Sequence, residues 1–544
     1  MIRMLLLLAL WSPWSWSIPV EGHQIMISAP SSYAVDVGRE VIALGGNVVD
    51  VTVAVGLSLS VTSPYFASLG GGGFALVKMG EKVEALDFRE TAPAATGPDY
   101  FVKNSKDSRT GGAAVGVPGV PAGLWELHKK YGKLPWRQLF TMPTRMAQKG
   151  FRVSGEWVGD TQNNLKRFNA SGKKLFFKSG GNSYKPGEII RQPGLAYALR
   201  ELSRKNVKGF YQGPVAKDIV KAVNEAGGVM TLKDLADYKV RWLEPMTTKF
   251  ADHKIYLMPP PSSGGVIIET ALKLIDKVKL ANYQPLSVDE LHLMGEILSR
   301  SFRGRQLLGD PAYHENPFKK LLSADYLKSM ADSISVKKTS QLEPLEKVTP
   351  HESENTTHFS VLDSKGNAVA LTVTLNGNYG SGVVTPAYGI ALNNEMDDFT
   401  TQPGKPNMFG LIQGEGNLVQ GGKRPLSSMS PTLVEKDGKI VMSLGAPGGP
   451  RIISGVLQVL YRVLVSQKDM DQAIQMPRVH HQFLPHVLFI DKGRLSPEII
   501  KALEQRGHTV KESNIARVNG VRINSEGYLE AAFDSRGEGA AGGL

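Results

Sequence analysis

The 544-residue sequence predicts an α+β fold, and three observations point there. Hydrophobic residues make up 42% and charged residues 21%, the balance of a globular chain with a substantial core. The first half carries apolar residues at helical spacing, closed off by glycines. Beyond residue 355 the pattern changes to alternating and apolar runs that read as strands. The length suits one large domain or two to three ordinary ones.

In order along the chain, "SSYAVDVGREVIALGG" offers a serine N-cap and ends on Gly45-Gly46, the signature of a helix. "NVVDVTVAVGLSLSVTSP" follows, apolar almost throughout, and reads as a buried helix. Gly70–Gly73 lead into a strand; a phosphate-cradling loop would need a following helix and a GK[ST] ending, so close backbone packing is the better reading. "VEALDFRE" alternates and predicts a strand ending at Arg89. Residues 119–245 are largely helical, and "MPPPSSGGVIIETALKLID" is a rigid approach, a turn and a helix. The polar stretch 336–355 reads as an exposed loop. Strands are expected at 356–375, 385–394 and 430–443, with a helix from about Ile453.

The net charge of +12 is spread over scattered Lys and Arg, with no run beyond pairs such as Lys173-Lys174, so no nucleic-acid partner is expected. The absence of cysteine excludes disulfides, thiolate catalysis and Cys-type zinc sites. At the N-terminus, Arg3, the apolar run Met4–Trp11 and Ser15-Trp16-Ser17 have the layout of a signal peptide over residues 1–17. That run is far short of the ~20 residues that span a bilayer. An exported protein, periplasmic or secreted and with no stable membrane anchor, is expected.

"TTHFSVLDSKGNAVALTVTLN" reads as a hairpin whose loop, Ser364-Lys365-Gly366, ends on a glycine able to take the left-handed conformation. Asp363 then pairs with Asn367, and Thr356 lies opposite Thr374 on the face that also carries His358. A threonine hydroxyl needs a base. Cutting Asn355–Thr356 would supply one, because the freed α-amine, with a reference pKa of about 7.7–8.0, sits within reach of its own Oγ. Ordinary strand threonines would look the same from spacing alone. Further polar groups sharpen the reading. Glu395, Asp397 and Asp398 suit an amine, Ser427 and Ser428 a carboxylate, and Gly448-Gly449 before a helix an oxyanion.

These residues resemble the γ-glutamyltranspeptidases. "NTTHFSVLD", "NNEMDDF", "KRPLSSMSPT" and "GAPGGPRII" are similar to signatures of that family's small subunit, and "ALDFRE", "LGGGGF" and "PPPSSGG" to those of its large subunit. The resemblance runs from about residue 25 to the C-terminus. It implies the four-layer αββα sandwich of the N-terminal-nucleophile hydrolases. It further implies self-cleavage before Thr356 into a large subunit (25–355) and a small subunit (356–544) that stay intertwined as a heterodimer. Thr356 would attack the γ-carbonyl of glutathione or another γ-glutamyl compound, with water or an amino-acid or dipeptide acceptor resolving the ester.

By the same resemblance Thr374 supports the nucleophile, and Gly448 and Gly449 form the oxyanion hole. Arg89, Ser427 and Ser428 hold the substrate carboxylate; Asn376, Glu395 and Asp398 hold its ammonium. Residues 403–410 form a lid in which Phe409 stands where some relatives have tyrosine. No cofactor is implied, and His480-His481 are not expected to bind metal. His358 is expected to pack within the strand. A glutaryl or cephalosporin acylase, a poly-γ-glutamate depolymerase and an unprocessed exported binding protein are the competing readings. Asp398 and a complete set of site residues argue against them.

Overall fold

A computed structural model describes residues 19–103, 105–340, 342–343, 356–402 and 404–544. The predicted leader, Asn355 and most of the loop before it lie outside the described residues. Two seven-stranded sheets form the centre. One runs in the order Ala540–Gly543, Ile25–Ala29, Thr357–Asp363, Ala368–Thr374, Gly72–Met79, Lys82–Phe88, Arg241–Leu243. The other runs Val20–Gly22, Leu529–Ala532, Asn519–Ile523, Lys439–Gly445, Thr432–Lys436, His253–Leu257, Met246–Phe250. Both sheets draw strands from either side of residue 355, so a cut there leaves the halves interleaved.

The hairpin at the centre of the first sheet shows how alternation builds the layers. Its odd-numbered Phe359, Val361, Val369 and Leu371 join one core with the helices Ser32–Ala43, Val48–Thr62 and Val120–Tyr131. Its even-numbered Leu362, Ala368 and Ala370 join the other core, with Leu433, Met442 and Val521 of the second sheet. Beyond that sheet lie Gly264–Val278, Val288–Arg303 and Arg451–Leu464. Helix, sheet, sheet, helix is the four-layer sandwich that the resemblance implied.

The local reasons are visible in the side chains. All of Val48–Thr62 is buried, and Asn47 opens it by accepting from the N–H groups of Val49 and Asp50 while Asp50 accepts from the Asn47 N–H. Each glycine of the run Gly70–Gly73 touches something a Cβ could not clear. Those atoms are the carbonyls of Ala391, Thr374 and Thr372 for Gly70, Gly71 and Gly73, and the Glu90 carboxylate for Gly72. Close packing is therefore the role of this run.

Two expectations are corrected. Residues 385–394 form no strand: Val384 and Ala391 make a single bridge around a turn with Gly389 at φ +66°. The N–H groups of Ala387 and Tyr388 bond to the Asp218 carboxylate instead, 3.0 and 3.1 Å away. Residues 430–443 are two strands rather than one, folded over an Asp437-Gly438 turn with both residues at positive φ.

Candidate functional site

The hairpin register is Thr357 opposite Val373 through Leu362 opposite Ala368, as the pattern predicted. Extending it by one places Thr356 across from Thr374, and their hydroxyl oxygens lie 3.5 Å apart. Thr374 Oγ1 also accepts from the Asn376 N–H at 2.7 Å, which leaves its own proton free for Thr356. Asn376 is buried at φ +70° and its Nδ2 donates to the Asn394 carbonyl. A buried non-glycine residue in that region marks a turn held by its surroundings.

One small cavity is lined by Thr356, Thr374, Asn376, Arg89, Glu395, Asp398, Ser427, Ser428 and Gly449, so nine of the predicted site residues meet in one place. Gly448 faces an adjoining recess that Thr356 also lines. The cavity measures only about 10 Å3, and Phe409 of the predicted lid and Leu411 just beyond it are among its walls. Phe409 is packed so tightly on Gly449 that a Cβ there would lie 2.7 Å from its ring. Gly448 and Gly449 have φ of +128° and +55° and stand directly before the helix Arg451–Leu464. Their N–H groups donate to nothing among the described residues.

Arg89 follows the strand Lys82–Phe88 and is 1% exposed. Its guanidinium donates to Glu395, to Asp398 at 2.6 Å and to the Pro425 carbonyl at 3.2 Å. The arginine assigned to a carboxylate and the acids assigned to an ammonium are therefore paired with each other here. Asp398 is also tied to the lid, accepting from Asn407 Nδ2 at 3.0 Å.

The cluster is overloaded with acid. Burial raises Glu395 well above the usual carboxylate range and raises Asp398 as well; burial also lifts Glu90 to about 7. Both oxygens of Glu90, one oxygen of Glu395 and the Ser428 hydroxyl are buried without a hydrogen-bond partner among the described residues.

Sequence reasoning missed two members. Glu90 was passed over beside Arg89. Arg305 lines the cavity from the other side, is pushed down to about 10 by burial, and donates to Ser263 and Gln413. Nothing in "SFRGRQLLGD" distinguishes it from a surface arginine; only the tertiary fold brings it in.

Several histidines are hydrogen-bonded inside the fold. His358 is fully buried, both ring nitrogens contact hydroxyls (Thr372 at 2.9 Å, Ser360 at 3.0 Å), and burial pushes it down to about 3. His480 contacts Ser454 and Gln482, and His481 accepts from the Phe483 N–H. Among the described residues, His292, Glu296 and His508 bring ligand-type atoms within 4.8 Å of one another. The Glu296 carboxylate is held by Arg300 at 2.9 Å and by Thr339, and the two histidines bond to each other. This group fastens residues 335–340 to the helix Val288–Arg303.

A family model described as γ-glutamyltranspeptidase matches residues 34–544. The chain is 38% identical over 536 residues to the glutathione hydrolase proenzyme of Escherichia coli K12, covering 95% of this chain and 91% of that one. It is likewise 38% identical to the glutathione hydrolase proenzyme of Pseudomonas aeruginosa, covering 94% and 93%. The γ-glutamyltranspeptidase structure from Helicobacter pylori superposes with a TM-score of 0.56 at 33% identity, over 58% of this chain and 93% of that one. A cephalosporin acylase from Bacillus halodurans superposes with a TM-score of 0.86 over 99% of both chains at 23% identity, a likeness of fold.

Proposed function

This chain belongs to the γ-glutamyltranspeptidase family, and we propose that it is a self-processing γ-glutamyl transferase and hydrolase with Thr356 as nucleophile. The observation that carries the reading is the pairing of Thr356 with Thr374 in a cavity that also holds Arg89, Glu395 and Asp398. The precursor cleaves itself between Asn355 and Thr356. The new α-amine of Thr356 takes the proton from Oγ, directly or through a water. Oγ attacks the γ-carbonyl carbon of glutathione or a related amide, and the N–H groups of Gly448 and Gly449 receive the oxyanion. The amine leaves with the returned proton. Water or an amino-acid or dipeptide amine then resolves the ester.

Arg89, with Ser427 and Ser428, binds the α-carboxylate of the glutamyl head, and Asn376, Glu395 and Asp398 bind its α-ammonium. Insertion of that zwitterion exchanges the internal Arg89 pairs for pairs to substrate and gives the unpartnered Ser428 hydroxyl and Glu395 oxygen something to bond. It also requires the lid at Phe409 to move, since the closed cavity holds no more than a water. Arg305 adds positive charge behind Asp398. The leader at 1–17 sends the protein to the periplasm or medium, and no helix among the described residues is long and apolar enough to cross a membrane.

The test compares γ-glutamyl-4-nitroanilide with glutaryl-4-nitroanilide, which lacks the α-ammonium. The reading expects the glutamyl compound to be favoured by at least about 100-fold, the worth of one or two charge-assisted hydrogen bonds. Preference for the glutaryl compound would support an acylase instead.

A further inference from the structure

We propose that Arg305 is a second donor-binding residue: together with Arg89 it holds the α-carboxylate of the γ-glutamyl group, and it thereby sets the preference for donors that carry this carboxylate. This inference rests on the γ-glutamyl-transfer reading above.

A buried arginine is ordinarily matched by an acid. Arg300, Arg424 and Arg478 follow that rule, paired with Glu296 at 2.9 Å, with Asp87, and with Asp534 at 2.5 Å. Arg305 does not. It lies in the turn Gly304–Leu307, directly after the helix Val288–Arg303, and is 3% exposed, yet it forms no ion pair among the described residues. Its Nε donates to Ser263 Oγ at 3.1 Å and its Nη1 to Gln413 Oε1 at 2.7 Å. Both acceptors are neutral, and Nη2 has no acceptor among the described residues. What remains for this charge is the cavity that Arg305 lines, which also holds Arg89, Ser427, Ser428 and Thr356.

The same two partners fasten Arg305 to both sides of that cavity. Ser263 Oγ donates to the Ser427 carbonyl at 2.8 Å, and Gln413 Nε2 donates to the Asp398 carbonyl at 2.7 Å. The guanidinium is therefore tied to the serine pair assigned to the carboxylate and to the aspartate assigned to the ammonium. A planar fork held at two of its nitrogens loses little freedom when a carboxylate arrives.

Arg89 by itself is a poor match for that carboxylate. Its guanidinium already donates to Glu395, to Asp398 and to the Pro425 carbonyl, with the Glu90 carboxylate 3.9 Å away. Much of its charge is spent on these acids before a substrate enters. Arg305 supplies a cation that is not so spent, and the burial that pushes it down to about 10 is relieved when an anion binds.

The experiment uses the mature two-chain protein and two donors, γ-glutamyl-4-nitroanilide and 4-aminobutanoyl-4-nitroanilide, which differ only in the α-carboxylate. It reads the ratio of their kcat/KM values. In Arg305→Gln that ratio is expected to fall at least about tenfold, the worth of one charge-assisted hydrogen bond, through a higher KM for the glutamyl donor alone. Arg305→Lys keeps the charge without the planar fork and is the fallback if the glutamine variant does not mature; its ratio should fall at least about threefold. Where the second donor turns over too slowly, Ki values for glutamate and 4-aminobutanoate give the same comparison. A variant that matures and slows both donors alike, leaving the ratio at its wild-type value, makes Arg305 a scaffold residue and overturns the assignment while the function stands. A wild-type protein that releases no nitroaniline from γ-glutamyl-4-nitroanilide overturns the function itself.

Discussion

Two buried clusters of arginine and carboxylate lie in this molecule, and they are built on opposite principles. In one, Arg478 and Arg536 face Asp491 and Asp534, two cations to two anions, at 2.5 Å for Arg478–Asp534 and for Arg536–Asp491. Backbone N–H groups of Val518 and Ile515 fill the remaining carboxylate positions, and the arginines hold Asp534 down to about 2 despite its burial. In the other, Arg89 faces Glu90, Glu395 and Asp398, and all three acids are raised. The first cluster has as many cations as anions, and its carboxylate oxygens are all bonded. The second is short of positive charge, and that deficit is what an incoming α-ammonium would fill. Even with Arg305 behind Asp398, the proposed site has fewer cations than anions, whereas the scaffold cluster has equal numbers.

The comparison can be broken most forcefully at the balanced cluster. Asp534→Ala leaves two buried guanidinium groups short of an anion and should cost about 3–5 kcal/mol of stability, measured by urea unfolding. Arg89→Gln should act the other way round. Its stability cost should be smaller, because the raised carboxylates can take up protons. Its kcat/KM for a γ-glutamyl donor should fall about 100- to 1,000-fold, the loss of two charge-assisted hydrogen bonds to substrate.

The pH dependence sharpens the contrast. A raised carboxylate gains a proton on folding, so its contribution is full below the unfolded value of about 4.3 and is lost as pH climbs through the folded value. For Glu90 that window ends at about 7. Asp534 is the reverse: its contribution is present above the unfolded value and is lost as pH falls through about 2. Glu395→Gln removes one acid from the overloaded cluster. The fall in melting temperature from pH 5 to pH 8 should be shallower in that variant than in the wild type.

The smallest effect is expected at the lid. Phe409→Tyr keeps the ring that packs on Gly449 and adds a hydroxyl; donor kcat/KM should change by less than about fivefold, of the order of one net hydrogen bond.

Much of this was legible in the sequence where the signal is local. The hairpin was readable to the residue because alternation and Gly366, at φ +85°, fix the register together. The buried helix Val48–Thr62 announced itself by its apolar composition. Long-range relations were not legible. The run 385–394 looked like a strand because it is apolar, but Asp218, distant in sequence, captures its N–H groups. The pairing of Arg89 with Glu395 and Asp398 joins residues more than 300 positions apart, so residue types suggested the roles and could not reveal the mutual contact. Arg305 enters only because its helix packs behind Ser263.

The central claim is that Thr356 is a nucleophile masked until the chain cuts itself. Intact mass spectrometry of the purified protein under denaturing conditions, beside Thr356→Ala, tests it most directly. The account predicts two chains in the wild type, the smaller spanning 356–544, and one uncut chain in the variant. A single uncut chain in both, or the same cut in both, would contradict it.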